Sequence, residues 1–128
     1  MYSIPEDLEY DRGHIWIRKE GDKARIGISD FLQQRLGKIS FVQLPAAGQT
    51  LEGNSSFGVV KGSAGSHELI APVSAEIVEV NGALETNPSL CNQDPYGAGW
   101  IAVLELNGPI SGLLNAEGYE IYCQTARG

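Results

Sequence analysis

Few residues in this chain could do chemistry, and several of them fall in one stretch, FGVVKGSAGSHELIAPV (Phe57–Val73). Two apolar runs flank KGSAGS, whose glycine and serine content reads as the turn of a β-hairpin. A lysine presented on such a turn can carry a covalent group. Here Lys61 opens the loop, and Ala64 occupies its middle. Ser66, His67 and Glu68 supply a nucleophile, a base and an acid, but consecutive strand residues point to opposite faces and cannot form a triad alone. KGSAGS shares only glycine content with phosphate-cradling loops, because the GxxxxGK[ST] spacing and the following helix are missing. His14 and His67 are the only histidines, and no metal-ligand cluster forms around them. Cys91 and Cys123 lie far apart without a CxxC, so they read as packing thiols of a reducing compartment. His14, set among strand residues, reads as a packed or hydrogen-bonded structural histidine.

The elements that must position these residues are short strands between turns. HIWIRKE, KARIGIS, ISFVQL, SFGVV, HELIAPV, AEIVEVN and WIAVLELN have strand character, and apolar and polar residues partly alternate in the first and sixth. EGDK (Glu20–Lys23) joins two of them as a hairpin turn. Sixteen glycines, spread along the chain, point to many tight turns, with Gly27, Gly37, Gly48 and Gly97 at turn-like positions. SDFLQQRLG (Ser29–Gly37) predicts a helix capped by Ser29 or Asp30 and ended by Gly37, with Phe31, Leu32 and Leu36 on one face. Ile110–Thr125 predicts a helical segment, bent near Gly118, with Asn115 as a cap. Asn87–Trp100 is too rich in Pro, Gly, Asn and Asp to be regular, and DPYG within it is turn chemistry. Trp16, Phe41, Tyr96 and Trp100 are candidates for the core. The fold class is mostly β, a sandwich or flattened barrel with small helices. It fits a single domain over residues 1–128, a length sufficient to bury a core.

Composition narrows function by exclusion. The net charge is -7 and no basic run occurs, which argues against nucleic acid and for docking to basic partner proteins. No apolar stretch approaches the roughly 20 residues that span a bilayer, and the N-terminus lacks the features of a secretory signal. A soluble, cytoplasmic protein is expected.

HIW (His14–Trp16), Glu20–Gly48, FGVV (Phe57–Val60), APVSAEIVEVN (Ala71–Asn81) and NQDPYGAGW (Asn92–Trp100) carry a resemblance to the glycine cleavage system H protein family over nearly the whole chain. The resemblance implies a hybrid barrel-sandwich of the lipoyl- and biotinyl-carrier type. It also implies a lipoyl group on a hairpin lysine that carries an aminomethyl group between the enzymes of glycine breakdown. The family hairpin reads Glu-Ser-Val-Lys-Ala. Laid on this chain without a gap, its glutamate falls on Lys61, its serine on Gly62, its valine on Ser63 and its lipoyl lysine on Ala64. Alanine has no amine, so no amide-linked arm can form there. Lys61 lies three residues away, roughly 10 Å along an extended strand. The family's Ser-His-Glu-Trp, which shelters the loaded arm, becomes Gly13, His14, Ile15 and Trp16. Both residues implicated in holding the amine are therefore lost, while Glu68 matches an aspartate that follows the family lysine.

The resulting expectation is a non-catalytic interaction or regulatory module of a glycine cleavage or lipoate-dependent system. It would be monomeric, would partner that system's proteins, and would carry no cofactor. The alternative is a carrier with lipoate on the displaced Lys61. An intermediate reading is a noncovalent ligand binder using an apolar cleft near Gly13, Ile15 and Trp16.

Overall fold

A computed structural model describes residues 3–107 and 112–125. In chain order the elements are β1 (Glu9–Tyr10), β2 (Ile15–Glu20), β3 (Lys23–Ile28), α1 (Asp30–Leu36), β4 (Ile39–Gln43), β5 (Thr50–Leu51), β6 (Ser56–Gly62), β7 (Gly65–Ile70), β8 (Ala75–Val80), α2 (Ala83–Thr86), α3 (Leu90–Gln93), β9 (Ala102–Leu106) and α4 (Ala116–Thr125). The strands form two sheets, one in the order β1-β2-β3-β9-β8-β5 and one in the order β4-β6-β7. Every pairing is antiparallel. The mostly β class with short helices, one of them C-terminal, is the fold that the sequence implied.

Alternation along β2 divides the core. Ile15 and Ile17 face a cluster that joins both sheets, where Ile26, Val60, Leu69 and Leu104 also lie. Trp16 points the other way, into a second cluster with Leu8, Tyr10, Phe31, Tyr119 and Cys123. That second cluster docks α4 on the six-stranded sheet. Burying each large apolar side chain contributes about 1.5–3 kcal/mol, so both faces of β2 are strongly specified.

The helix α1 forms as its sequence indicates. Ser29 Oγ accepts the Leu32 N–H at 3.2 Å, and Phe31, Leu32 and Leu36 are buried. Gly37, at φ 76°, returns its N–H to the Gln33 carbonyl and ends the helix. Asn92 then locks that end. Its Nδ2 donates to the Gly37 carbonyl at 2.9 Å, and its Oδ1 accepts the Ile39 N–H at 2.7 Å.

Four local expectations need correction. Gly27 is not at a turn: it lies inside β3 beneath the Trp16 ring, where a Cβ would come within 2.7 Å of the indole. Phe41 is not core but 48% exposed. Asn87–Trp100 contains the short helix α3, whose Cys91 packs inward against the cluster that joins the sheets. Within Ile110–Thr125, residues 110 and 111 lie outside the described residues. Leu114 forms an isolated bridge with Tyr10, and the helix begins only at Ala116. Gly118 lies within that helix, and its N–H is capped by Asn115 Oδ1 at 2.8 Å.

Candidate functional site

The hairpin β6–β7 is the site to which sequence reasoning pointed. Its ladder runs through Lys61↔Ser66 to Gly62↔Gly65, leaving Ser63 and Ala64 as the connecting turn. Ala64, at the family's lipoyl-lysine position, is therefore an exposed residue at the tip. Lys61 is not at the apex. It sits one rung below, in a ladder that also pairs it with Phe41 of β4.

The tip is pinned to the end of α1 rather than projecting freely. Ser63 N–H donates to the Lys38 carbonyl at 3.0 Å, and Ala64 N–H donates to the Leu36 carbonyl at 2.8 Å. Lys38 N–H donates back to Ser63 Oγ at 3.2 Å. Gly62 permits this approach, since a Cβ there would collide with the Leu36 carbonyl.

Period-2 alternation gives the three-stranded sheet two unlike faces. Val42, Val60 and Leu69 are buried on the inner side. Phe41, Lys61 and Ser66 share one rung of the outer side, and Gln43, Val59 and Glu68 share the next. Lys61 Nζ lies 5.6 Å from the centroid of the Phe41 ring, a cation–π contact.

His67, on the inner side, crosses to the N-terminal turn. Its Nε2–H donates to the Gly13 carbonyl at 3.0 Å. Its ring meets His14 edge-on with centroids 6.1 Å apart. His14 is 8% exposed and sits at φ 68°. Its Nδ1 is 2.7 Å from Tyr119 Oη, which in turn lies 2.6 Å from Ser29 Oγ. A buried relay thus links the N-terminal turn, α4 and the cap of α1. Burial above all, aided by the charges of His67 and Arg35, pushes the His14 imidazole down to about 4, so the ring is neutral near pH 7. Burial also raises the Asp11 carboxyl, against the N–H groups of Ile15 and Gly13 that both donate to its Oδ1 at 3.0 Å.

The residues expected around one docking cleft therefore separate. Gly13 and His14 lie against the hairpin through His67. Ile15 and Trp16 are wholly buried on opposite faces of β2, so neither opens onto a cleft. Trp16 Nε1–H instead donates to the Pro95 carbonyl at 2.9 Å. Glu68 is on the outer face of the other sheet, away from His14. The depression beside Gly13, about 520 Å3, has Asp11, Arg12, Asn54 and Ile70 among its lining residues. His67 and Tyr119 were missed as partners of His14, since residues 53 and 105 positions apart meet only through tertiary packing of β7 and α4 on the N-terminal turn.

Cys91 and Cys123 are both buried and unlinked, and burial pushes the Cys91 thiol up to about 12. No group of metal-ligating side chains occurs among the described residues, and no described helix is long and apolar enough to cross a membrane.

Two antiparallel sheets, one of them presenting the β6–β7 hairpin tip at the surface, define a barrel-sandwich domain. Within it, residues 8–126 match the family model described as Glycine cleavage H-protein. The chain is 45% identical over 124 residues to the glycine cleavage system H protein of Symbiobacterium thermophilum, covering 95% of this chain and 97% of that one. It is 43% identical over 120 residues to the H protein of Bacteroides fragilis, covering 92% and 95%. The crystal structure of a glycine cleavage system H protein from Mycobacterium marinum superposes with a TM-score of 0.85 at 36% identity, covering 95% of this chain and 98% of that one. This chain belongs to the glycine cleavage H-protein family, and it is not an enzyme.

Proposed function

We propose that this chain is a docking module of a glycine cleavage or related lipoate-dependent system, working in the cytoplasm without a covalent arm at its hairpin tip. The observation that carries this reading is the ladder register, which leaves Ser63 and Ala64 at the turn and so puts a methyl group at the apex. A lipoyl group needs an amine for its amide bond, and the tip residues do not fit it. The loss of the partners that would hold an aminomethyl amine, at Gly13 and Ile15, supports the same reading. One domain over residues 1–128, acting as a monomer, completes the proposal.

A second reading has its own support. Lys61 is an exposed amine on the same hairpin, and relatives of this chain are H proteins. In that reading Lys61 bears the lipoyl group. Co-expression with a lipoyl-attachment enzyme and lipoate, followed by intact mass and peptide mapping, separates the two. We expect no increment on this chain while an ordinary H protein in the same cells is modified. A single increment on Lys61, abolished in Lys61→Ala, would overturn the first reading and establish the second.

A further inference from the structure

The helix α4 is fastened to the six-stranded sheet over a narrow strip. Of its ten residues only Tyr119 and Cys123 are buried, while Ile121 is 56% exposed. The Tyr119 ring stacks on Tyr10 with centroids 4.5 Å apart, and the Tyr122 hydroxyl donates to the Arg12 carbonyl at 3.0 Å. The chain just before the helix is fixed separately, since Leu114 exchanges two backbone hydrogen bonds with Tyr10. A helix this short is marginal on its own in water, so α4 unravels once it leaves the sheet.

The polar side of this attachment is a chain of hydrogen bonds with one direction. Leu32 N–H donates to Ser29 Oγ, so the buried Ser29 hydroxyl gives its own proton to Tyr119 Oη at 2.6 Å. Tyr119 in turn donates to His14 Nδ1 at 2.7 Å, which assigns the proton of the neutral imidazole to Nε2. The chain therefore ends on a lone pair that exists only while His14 is uncharged. A proton arriving at Nδ1 leaves the Tyr119 hydroxyl with the Cys123 thiol, a weak acceptor.

His14 cannot escape by moving. Its N–H donates to the Asp11 carbonyl at 3.1 Å and its carbonyl accepts the Ser29 N–H at 3.0 Å, which fixes the backbone at φ 68°. Nor does the ring meet a counter-charge among the described residues. Arg35 of α1 and His67 of β7 both oppose its protonation. From α4 it faces the Tyr119 and Tyr122 rings, with Cys123 beside them. Asp11, in its own turn, directs Oδ1 to the N–H groups of Gly13 and Ile15. A charged ring reaches water only when α4 moves off it.

We infer that α4 is an acid-released clasp: a proton taken from solvent at His14 Nδ1 breaks the hydrogen bond from Tyr119, and the helix leaves while both sheets stay folded. Release uncovers His14 and the Tyr10 ring beside the turn that His67 ties to the hairpin. His14 titrates at about 4 in the fold against 6.5 when free, so opening becomes about twentyfold more frequent between pH 7 and 5.

The test is native-state hydrogen exchange of the full chain by mass spectrometry, at pH 7 and 5 and in 0 to 1 M urea, with rates corrected for intrinsic exchange. Peptides covering α4 are compared with peptides covering β3. The α4 amides should be at least a hundredfold less protected than those of β3 at each pH, and nearly insensitive to urea. Their protection should fall about twentyfold from pH 7 to 5. In His14→Asn the same fall should shrink to within twofold, and the wild-type comparison decides by itself even where that variant fails to fold. Equal protection of α4 and β3, with equal urea dependence, would overturn the clasp, because the helix would then leave only when the whole chain unfolds. An α4 that opens locally but equally at both pH values would overturn the trigger. A wild-type pH dependence retained in His14→Asn would overturn the role of His14.

Discussion

Acidification should destabilise this protein through one buried ring. His14 is held neutral in the fold, with its titration depressed from 6.5 to about 4, first by burial and then by the charges of His67 and Arg35. A base depressed by folding contributes stability that is fully present above the unfolded value. That stability is lost as pH falls toward the folded one. The whole interval corresponds to roughly 3 kcal/mol, and about 2 kcal/mol of it disappears between pH 7 and 5. At 8% exposure the ring is little screened by solvent. Urea unfolding followed by tryptophan fluorescence would read this as a midpoint falling by about 1 M, taking a slope of about 2 kcal/mol per M. The comparison is His14→Asn, because asparagine tolerates the positive φ of 68° at this site. That variant should be less stable at pH 7 but nearly flat from pH 7 to 5. The raised Asp11 carboxyl works in the opposite sense, gaining stability on acidification, and it is common to both proteins. Parallel pH profiles for the two proteins would refute the reasoning. So would a His14 ring resonance that titrates near 6.5.

Other outcomes follow from the same geometry. Tyr119→Phe removes the hydroxyl shared by His14 Nδ1 and Ser29 Oγ, and should cost about 1–3 kcal/mol in urea unfolding because His14 is left unpartnered in a buried site. Gly27→Ala drives a methyl into the Trp16 indole and should cost about 1–3 kcal/mol, with an altered near-UV circular dichroism spectrum from the displaced ring. Gly62→Ala forces the hairpin tip off the Leu36 carbonyl, so the Ala64 amide should exchange with deuterium markedly faster than in wild type. Ala64→Lys places an amine at the apex. It should gain one lipoyl increment by mass in cells with an attachment enzyme, and retain it when Lys61 is also changed to alanine.

Much of the architecture was legible locally. The runs around β2, β3, β6 and β8 carry strand residues between turn residues. Ser29 and Gly37 bound α1 because capping needs only nearby backbone groups. What escaped notice depends on partners distant in sequence. β1 and β5 are two-residue strands with no period of their own, and they exist only because β2 and β8 offer an edge. Gly27 reads as a turn residue in the sequence, whereas the Trp16 ring lying over it within β3 is what requires a glycine there. Phe41 looked like core because its hydrophobicity shows in the sequence, whereas the face of β4 on which it falls does not. The placement of Gly13, His14, Ile15, Trp16 and Glu68 was hidden for the same reason. Adjacent residues on β2 diverge to opposite faces, and Glu68 lies on the outer side of a different sheet.

By itself the sequence determined what chemistry is available: Ala64 has no amine, Lys61 has one, and the side chains of Gly13 and Ile15 cannot accept a hydrogen bond from a cation. These are properties of side-chain identity and need no coordinates. The tertiary structure decided where those groups stand. Ladder register put Ala64 rather than Lys61 at the apex, packing of α4 buried His14 against Tyr119, and the pleat turned Phe41 and Lys61 outward together. Register and facing arise from long-range pairing, in which a shift of one residue reverses every side chain.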